Sequence, residues 1–410
     1  MKESQLAYPH ELCCGCGMCS NVCPKNAITM KRDSIGFIYP KVDERKCIDC
    51  GLCLKTCAYK KSNLSTSVLE TYVAVSTCTE LNKSSSGGVF AAVAQIVIKS
   101  GGIVAGAIMD FVDGKALPRL ECVSEEKGLD RILGSKYVQC DLPTDAYKAI
   151  KSHLLAGRKV LFGGTPCQVD ALKEFVKGFE ENLLTIDIVC HGVPSSTFFN
   201  SYLEKFQQVH DCVVTNYVFR DKARYGWNLI GSIYYSKGGR TFRKKVYGNE
   251  DSFYRLFLDG DIYRESCYTC KYACGHRVGD LSIGDYWGIS KEHPEILSDN
   301  GGLINPDLGV SCLLVNSEKG RAFIAEHADS FSLYPSSYES AARNNGQLHS
   351  PAKRTPLRDM IFDAYEDYGY SGVETLYRKS KREGYTAIII KNRVPKIVKR
   401  CIKKVLHTKR

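Results

Sequence analysis

Apolar and polar positions alternate with two different periods along this chain, and the period changes mark its elements. TYVAVS, from Thr71, reads as a strand, and SSSGGVFAAVAQIVIKSGG reads as a helix opened by a serine cap and closed by glycines. GIVAGAIMD is a further strand. RKVLFGG, QVDALKEFVKG and LLTIDIV follow as a short apolar strand, a helix with apolar residues at helical spacing, and a second apolar strand. That order is a βαβ unit, whose strands are parallel with the helix crossing between them. VVTNYVFRDK and LIGSIYYSKGGRTFRKKVY alternate as antiparallel strands do, with Lys-Gly-Gly as an exposed turn. Lys60 to Glu70 is polar and aperiodic, which marks a linker. The expected fold class is an α+β ferredoxin-like N-terminal module followed by a larger α/β domain with a mixed sheet. The boundaries are 1–60 for the module, 61–70 for the linker, 71–375 for the large domain and 376–410 for a tail.

Length and composition leave room for this organisation. The chain has 410 residues, 44% hydrophobic and 25% charged, so a sizeable core is available. MKESQLAYPHEL holds no apolar stretch suited to a signal peptide, and the apolar run Val89 to Ile98 is too short to span a bilayer. A cytoplasmic location is expected, where twenty cysteines serve as metal ligands or buried thiols and not as disulfides. Net charge is +11, yet residues 391–410 carry nine Lys or Arg and no acid, so all but two of the net charges sit in the tail. A basic face for nucleic acid is therefore not expected.

Sulfur is concentrated at the N-terminus. Cys13, Cys16, Cys19 and Cys23 form C-x2-C-x2-C-x3-C-P, and Cys47, Cys50, Cys53 and Cys57 repeat the spacing, with Ala58 in place of proline. This resembles the two-cluster bacterial ferredoxins over residues 8–60. In that pattern the fourth cysteine of each run ligates the other run's 4Fe-4S cluster. The expected sets are Cys13, Cys16, Cys19 with Cys57, and Cys47, Cys50, Cys53 with Cys23. Cys14 has no place in either. The rival is tetrahedral zinc, whose usual pattern of two separated pairs fits the duplication poorly.

A second sulfur site is assembled from distant pieces. Cys167 and Cys190 each follow a strand of the βαβ unit, so both lie past the carboxyl ends of parallel strands, where open α/β sheets bind ligands. SCYTCKYACGHR adds Cys267, Cys270 and Cys274. These can hold a third cluster, or be buried thiols beside a zinc half-site. Cys78, Cys122, Cys140, Cys212, Cys312 and Cys401 read as small hydrophobes.

CCGCGMC, GGVF, GSKYVQC, GGTPCQVDALK, CHGVPS, FRDKARYGW and RVGDLSIGDYWGI together resemble the beta subunit of the deazaflavin (factor 420) hydrogenase/dehydrogenase family, from about residue 8 to 360. The resemblance implies an FAD beside a 4Fe-4S cluster, and assigns that cluster to Cys167, Cys190, Cys267 and Cys270, with Cys274 in reserve. A flavin also suits the chemistry, because it converts single electrons from clusters into the pairs that organic substrates take. No G-x-G-x-x-G follows a strand. Ser85, Ser86, Gly87 and Gly88 open a helix whose N–H groups can hold a phosphate or simply be capped. The resemblance adds Ser135, Lys136, Tyr137, Gly164 and Thr165 as flavin contacts, with Asp280, Asp285 and Trp287 shaping the pocket. His191 is expected behind the cluster ligands, and Tyr286 or Trp287 in the core.

The leading expectation is an iron–sulfur flavoprotein oxidoreductase passing electrons from the ferredoxin module through a third cluster to FAD and a small organic substrate. An electron-transfer subunit without substrate chemistry of its own, and a redox-sensing binding module, are the alternatives. A redox partner protein or small electron donor is implied. Val394, Ile397, Val398, Cys401, Ile402, Val405 and Leu406 form one stripe of a basic helix. Such a helix either lies in an anionic membrane surface, giving peripheral contact with the inner face of the membrane, or docks on the protein itself.

Overall fold

The computed structural model describes residues 9–57, 60, 67–140 and 146–383. Its strands, in chain order, are β1 (Ile28–Arg32), β2 (Ile38–Val42), β3 (Glu70–Ser76), β4 (Ile103–Val112), β5 (Lys115–Val123), β6 (Val160–Gly164), β7 (Leu183–Ile188), β8 (Val213–Val218), β9 (Ile230–Lys237), β10 (Arg240–Tyr247), β11 (Leu281–Asp285), β12 (Ser311–Val315) and β13 (Phe331–Ser336). An antiparallel β1–β2 hairpin separates the two cysteine runs. β8, β9 and β10 make a three-stranded antiparallel sheet, whose β9–β10 turn needs positive φ at both Gly238 and Gly239. The remaining strands form one mixed sheet in the order β13-β3-β12-β11-β7-β6-β4-β5.

The βαβ expectation holds in detail. β6 and β7 are parallel neighbours, with Gly164 opposite Asp187, and the helix Pro166–Phe175 crosses between them. β4 and β11 flank them in parallel, so four parallel strands end on one edge. Antiparallel strands complete both sides. β5, β11, β12 and β13 have no counterpart among the strands expected from sequence. β5 and β13 contain Pro118 and Pro335, which read as strand breakers but are tolerated because both strands are sheet edges.

One face of the sheet is covered by the helix Val89–Lys99, which sets Val89, Ala92 and Val93 against Leu161, Leu184 and Ile186. On the other face the helices Ala146–Leu155 and Pro166–Phe175 bury Tyr147, Ile150 and Leu172 against Val160, Phe162 and Leu183. An aromatic cluster joins the helix Ser196–His210 to the small sheet and to the helical segment Pro356–Glu383, which breaks at Gly369. The N-terminal module shares these cores. Met18 packs with Tyr147, and Phe37 with Phe198 and Phe362. Burial of one such side chain contributes about 1.5–3 kcal/mol.

One expectation changes. The helix after SSSGG begins at Val89 with Gly88 as its N-cap and no side-chain cap. The serines are engaged elsewhere: Ser86 Oγ donates to the Val310 carbonyl at 2.7 Å, and Ser135 Oγ donates to Ser85 Oγ at 2.8 Å. The basic stripe at 391–410 lies outside the described residues. No helix among the described residues is long and apolar enough to cross a membrane.

Candidate functional site

The first cysteine run is built into the large domain by its backbone. Arg264 Nε donates to the Cys13 carbonyl at 2.6 Å, Gln139 Nε2 to that of Cys14 at 3.4 Å, and Tyr147 Oη to that of Cys16 at 2.9 Å. Arg264 is wholly buried, also donates to Ile38 O at 2.7 Å, and lies over the Tyr39 ring. Gly15, at φ +68°, is required beneath it, because a Cβ there would come within 2.8 Å of the Arg264 guanidinium. The second run differs: residues 44–50, including Cys47 and Cys50, are all exposed.

The thiols fall into neighbourhoods. Cys13, Cys19 and Cys57 are mutual electrostatic neighbours, and Cys16 adjoins Cys19. Cys53 has Cys23 and Cys50 beside it. Cys47 sits in the same exposed loop, 3.7 Å from an Asp49 carboxylate oxygen. Cys190, Cys267 and Cys270 are mutual neighbours, and Cys270 reaches Cys167. Cys274 turns away, its Sγ donating to the carbonyls of Lys271 and His276. The Cys14 thiol has those of Cys16 and Cys167 beside it, which hold its pKa well below the ordinary thiol value while theirs rise, so it adjoins the first run and the strand-end set together. Of the cysteines read as small hydrophobes, Cys140 and Cys312 are buried, whereas Cys78 is exposed.

The chemistry of these donors fits polynuclear iron. Burial pushes the thiols of Cys19 and Cys190 up to about 12, and their thiol neighbours push in the same direction. Several thiolates crowded away from water need a cationic core to neutralise them. Among the described residues no three His, Cys, Asp or Glu side chains gather around a single ion. A cubane binds each thiolate at a different corner, so its ligands stand further apart than those of one zinc.

The strand-end thiols sit past the carboxyl ends of the parallel strands β6 and β7, with β11 beside them, where open α/β sheets bind ligands in a crevice. Ile188, last residue of a central strand, is 40% exposed. His191 is accessible yet enclosed enough that burial lowers its pKa, with the Asp285 carboxylate opposing that shift. Arg220 Nη1 donates to Asp285 Oδ2 at 2.7 Å, and Trp227 Nε1 to Asp285 Oδ1 at 2.6 Å. Trp227 stacks on Trp287 with ring centroids 5.0 Å apart. Tyr137 stacks on Phe257 and hydrogen-bonds Arg220, and the Ser85–Ser135 hydroxyl pair is also formed.

Other expected flavin contacts are already engaged. Gly87 N donates to Ser311 Oγ at 2.9 Å, and Gly88 caps its helix. Thr165 and Gln168 form a capping box, and Thr165 Oγ1 lies 3.2 Å from Cys167 Sγ. Gly164 is the last residue of β6, with Gln168 Oε1 close by. Lys136 Nζ donates to the carbonyls of Ile132 and Leu133, and burial brings its pKa down to about 7. Asp280 does not shape the crevice: it accepts from the Thr185 amide and hydroxyl and from Ser317, joining β7 to β11 at the far end of the strand. Tyr286 is buried core, as expected, while Trp287 is partly accessible and stacked. A cavity of about 570 Å³ elsewhere, near Ser34, Glu204, Tyr365 and Gly369, is lined by none of these thiols.

Sequence reading missed Cys14, Arg220 and Arg264. FRDKARYGW contains Arg220, but nothing local distinguishes a buried arginine from a solvated one.

No curated protein matches the chain. A solved structure, described as a xenon derivatization of the F420-reducing [NiFe] hydrogenase complex from Methanosarcina barkeri, aligns with 80% of this chain and 95% of its own at 14% identity and a TM-score of 0.42. Residues 12–61 match the 4Fe-4S dicluster domain, and residues 157–339 match the C terminus of the coenzyme F420 hydrogenase/dehydrogenase beta subunit. The two cysteine runs fall inside the stretch similar to 4Fe-4S dicluster domains, and Cys167, Cys190, Cys267 and Cys270 fall inside the stretch similar to the C terminus of the coenzyme F420 hydrogenase/dehydrogenase beta subunit, so the chain joins an iron–sulfur dicluster domain to a beta-subunit-like C-terminal domain.

Proposed function

We propose that this protein is an iron–sulfur flavoprotein oxidoreductase that takes single electrons in at the exposed second cysteine run and delivers pairs to an organic molecule in the crevice. The observation that carries this reading is the ordered placement of three thiol sets. The second run faces solvent, the first is buried against the large domain, and the strand-end set touches the first through Cys14 and the crevice through Cys190 and His191. When bound, 4Fe-4S clusters supply one-electron transfer and FAD supplies conversion to two-electron chemistry.

The chain's own groups do the rest. Cys13, Cys16, Cys19 and Cys57 hold one cluster, Cys47, Cys50, Cys53 and Cys23 another, and Cys167, Cys190, Cys267 and Cys270 a third. Arg264 fixes the first loop against the third set. Ser85, Ser135, Tyr137 and Arg220 line the flavin side of the crevice, and Asp285 keeps Arg220 oriented. His191, neutral at pH 7 because burial lowers its pKa, is placed to exchange a proton with a reduced substrate. The acceptor is a deazaflavin or another small organic oxidant.

Anaerobic purification with iron, sulfide and flavin quantitation tests the reading. About twelve irons and one FAD per chain are expected. Iron saturating near eight removes the third cluster, and absence of flavin removes the two-electron step. The matched family is named for a subunit, which favours a second reading in which a partner enzyme performs the substrate chemistry. Reduction of an added deazaflavin by the isolated chain separates the two.

A further inference from the structure

The tail holds most of the net charge, yet residues 222–249 carry seven Lys or Arg and no acid. Pairing of β9 with β10 sets Arg243 opposite Tyr234 and Lys245 opposite Ser232, so the alternate residues Arg243, Lys245 and Tyr247 share one face of the small sheet. Ile233 and Val246 point the other way, into the aromatic core. Three cations gather on the outer face around phenol rings. Arg243 Nη1 donates to Tyr225 Oη, and its guanidinium lies 5.6 Å from the centre of that ring. Lys245 Nζ is 4.4 Å from the Tyr225 ring centre and 4.5 Å from that of Tyr247. Arg224 Nε donates to Tyr234 Oη at 3.4 Å. Asp221, 3.6 Å from Arg224, is buried and already accepts from Ser232 Oγ at 2.5 Å. One carboxylate set against three cations leaves them in excess, and the rings hold that excess in a fixed arrangement. The cluster also adjoins the crevice. The short helix Lys222–Tyr225 begins two residues after Arg220, which Asp285 orients, and four helical residues rise only about 6 Å. Lys222 Nζ donates to the carbonyls of Ser86 and Leu308, both at 2.6 Å, which fixes this helix against the Ser85–Ser86 loop.

We propose that Arg224, Arg243 and Lys245, with the Tyr225 and Tyr234 hydroxyls, form an anion subsite at the rim of the crevice, which takes a phosphate group carried by the crevice ligand at the end remote from its reacting part. Guanidinium and phenol donors held in fixed positions suit a tetrahedral oxyanion. Three cations match a doubly charged phosphate better than a single carboxylate. The subsite binds and orients; no bond forms or breaks there. This rests on the reading of the crevice as the substrate site.

The test uses the full chain, anaerobically reconstituted. Inorganic pyrophosphate is titrated by calorimetry at low ionic strength, and riboflavin and FMN, which differ by one phosphate, are compared as acceptors for the reduced protein. The parent should bind pyrophosphate saturably, and less tightly as salt is raised. The double variant Arg243→Gln, Lys245→Gln should weaken that binding by about tenfold or more. Its KM for FMN should rise towards that for riboflavin at unchanged kcat, while riboflavin kinetics, iron and bound flavin stay at the parent's values. Lys237→Gln, on the same sheet and paired with Asp211 at 3.6 Å, should change neither readout. Pyrophosphate binding that survives the double variant overturns the proposal. Citrate binding as tightly as pyrophosphate overturns the phosphate assignment, and loss of bound flavin from the double variant overturns the subsite by making the cluster a cofactor contact. A parent that binds pyrophosphate through these residues but reduces neither acceptor sinks the proposed substrate chemistry instead, so the two failures are distinguishable.

Discussion

The two cysteine runs have identical spacing and opposite surroundings. In the first, Gly15, Gly17, Met18 and Ser20 are buried, and three successive cysteine carbonyls accept hydrogen bonds from the large domain. In the second, residues 44–50 are exposed, and the side-chain contacts of Arg45 and Lys46 go to Asp43 within the same loop. Ligation chemistry is encoded locally by the spacing. Which cluster meets solvent and which meets the interior is decided by what packs on the loop. A pseudo-symmetric module thus acquires a direction from an asymmetric neighbour.

The largest effect should come from breaking the pair through its crossed ligands. Cys57→Ala is expected to cost about four irons and to abolish electron flow from an external donor to the crevice, since Cys57 adjoins the inner cysteines Cys13 and Cys19. It should also lower the unfolding midpoint, because Met18 and Tyr147 pack beside that loop. Cys23→Ala should cost a similar amount of iron from the outer cluster while leaving stability closer to the parent. Iron analysis and thermal unfolding check both, and the reverse pattern would mean that each run ligates its own cluster.

Next in size is the anchoring of the inner run. Arg264→Ala leaves the Cys13 and Ile38 carbonyls and Gln139 Oε1 without their donor in a buried place. Unsatisfied buried acceptors cost about 1–3 kcal/mol each, so a loss of roughly 3–5 kcal/mol is expected, allowing for partial relaxation. Arg45, whose side chain is 92% exposed, is the matched control at the outer run. Its alanine variant should stay within about 0.5 kcal/mol of the parent. Denaturant midpoints of the two variants measure the difference, and comparable losses would show that the inner loop is not held by Arg264.

How far the sequence reaches follows the same division. The eight cysteines of the two runs are legible because their spacing is local. The βαβ unit is legible because flat apolar strands flank an amphipathic helix, and β6 and β7 do pair in parallel. β12 escaped because SCLLV is short and buried throughout, without alternation, and β5 because Pro118 masks a regular inward–outward pattern. Asp280 looked like a pocket residue because it shares GDLSIGDYWG with Asp285; the strand between them sends one to a structural junction and the other to the crevice. Arg264 and Cys14 were illegible for a different reason. Their partners lie in distant segments, and neither an isolated arginine nor an extra cysteine announces a tertiary role.

The smallest expected effect concerns how electrons enter. Around the outer run, Lys25, Lys41, Arg45, Lys46 and Lys55 are exposed, against the acids Asp43, Glu44 and Asp49, and the apolar Ile48 and Leu52 are 57% and 38% exposed. A small apolar patch with a slight excess of positive charge suits brief docking of an acidic one-electron donor. Transient redox encounters use small interfaces and depend on charge for their association rate more than for their lifetime. The double variant Lys46→Glu, Lys55→Glu should therefore slow reduction by an acidic donor protein several-fold at low ionic strength. At about 1 M salt, where the screening length falls to about 3 Å, the difference should disappear. Reduction by dithionite, a small reagent that does not require the protein surface, should be almost unchanged at either ionic strength. The same substitutions placed at the inner run's rim offer the contrast. If stopped-flow rates with the acidic donor respond there and not at Lys46 and Lys55, electrons enter through the buried run and the assigned direction is reversed.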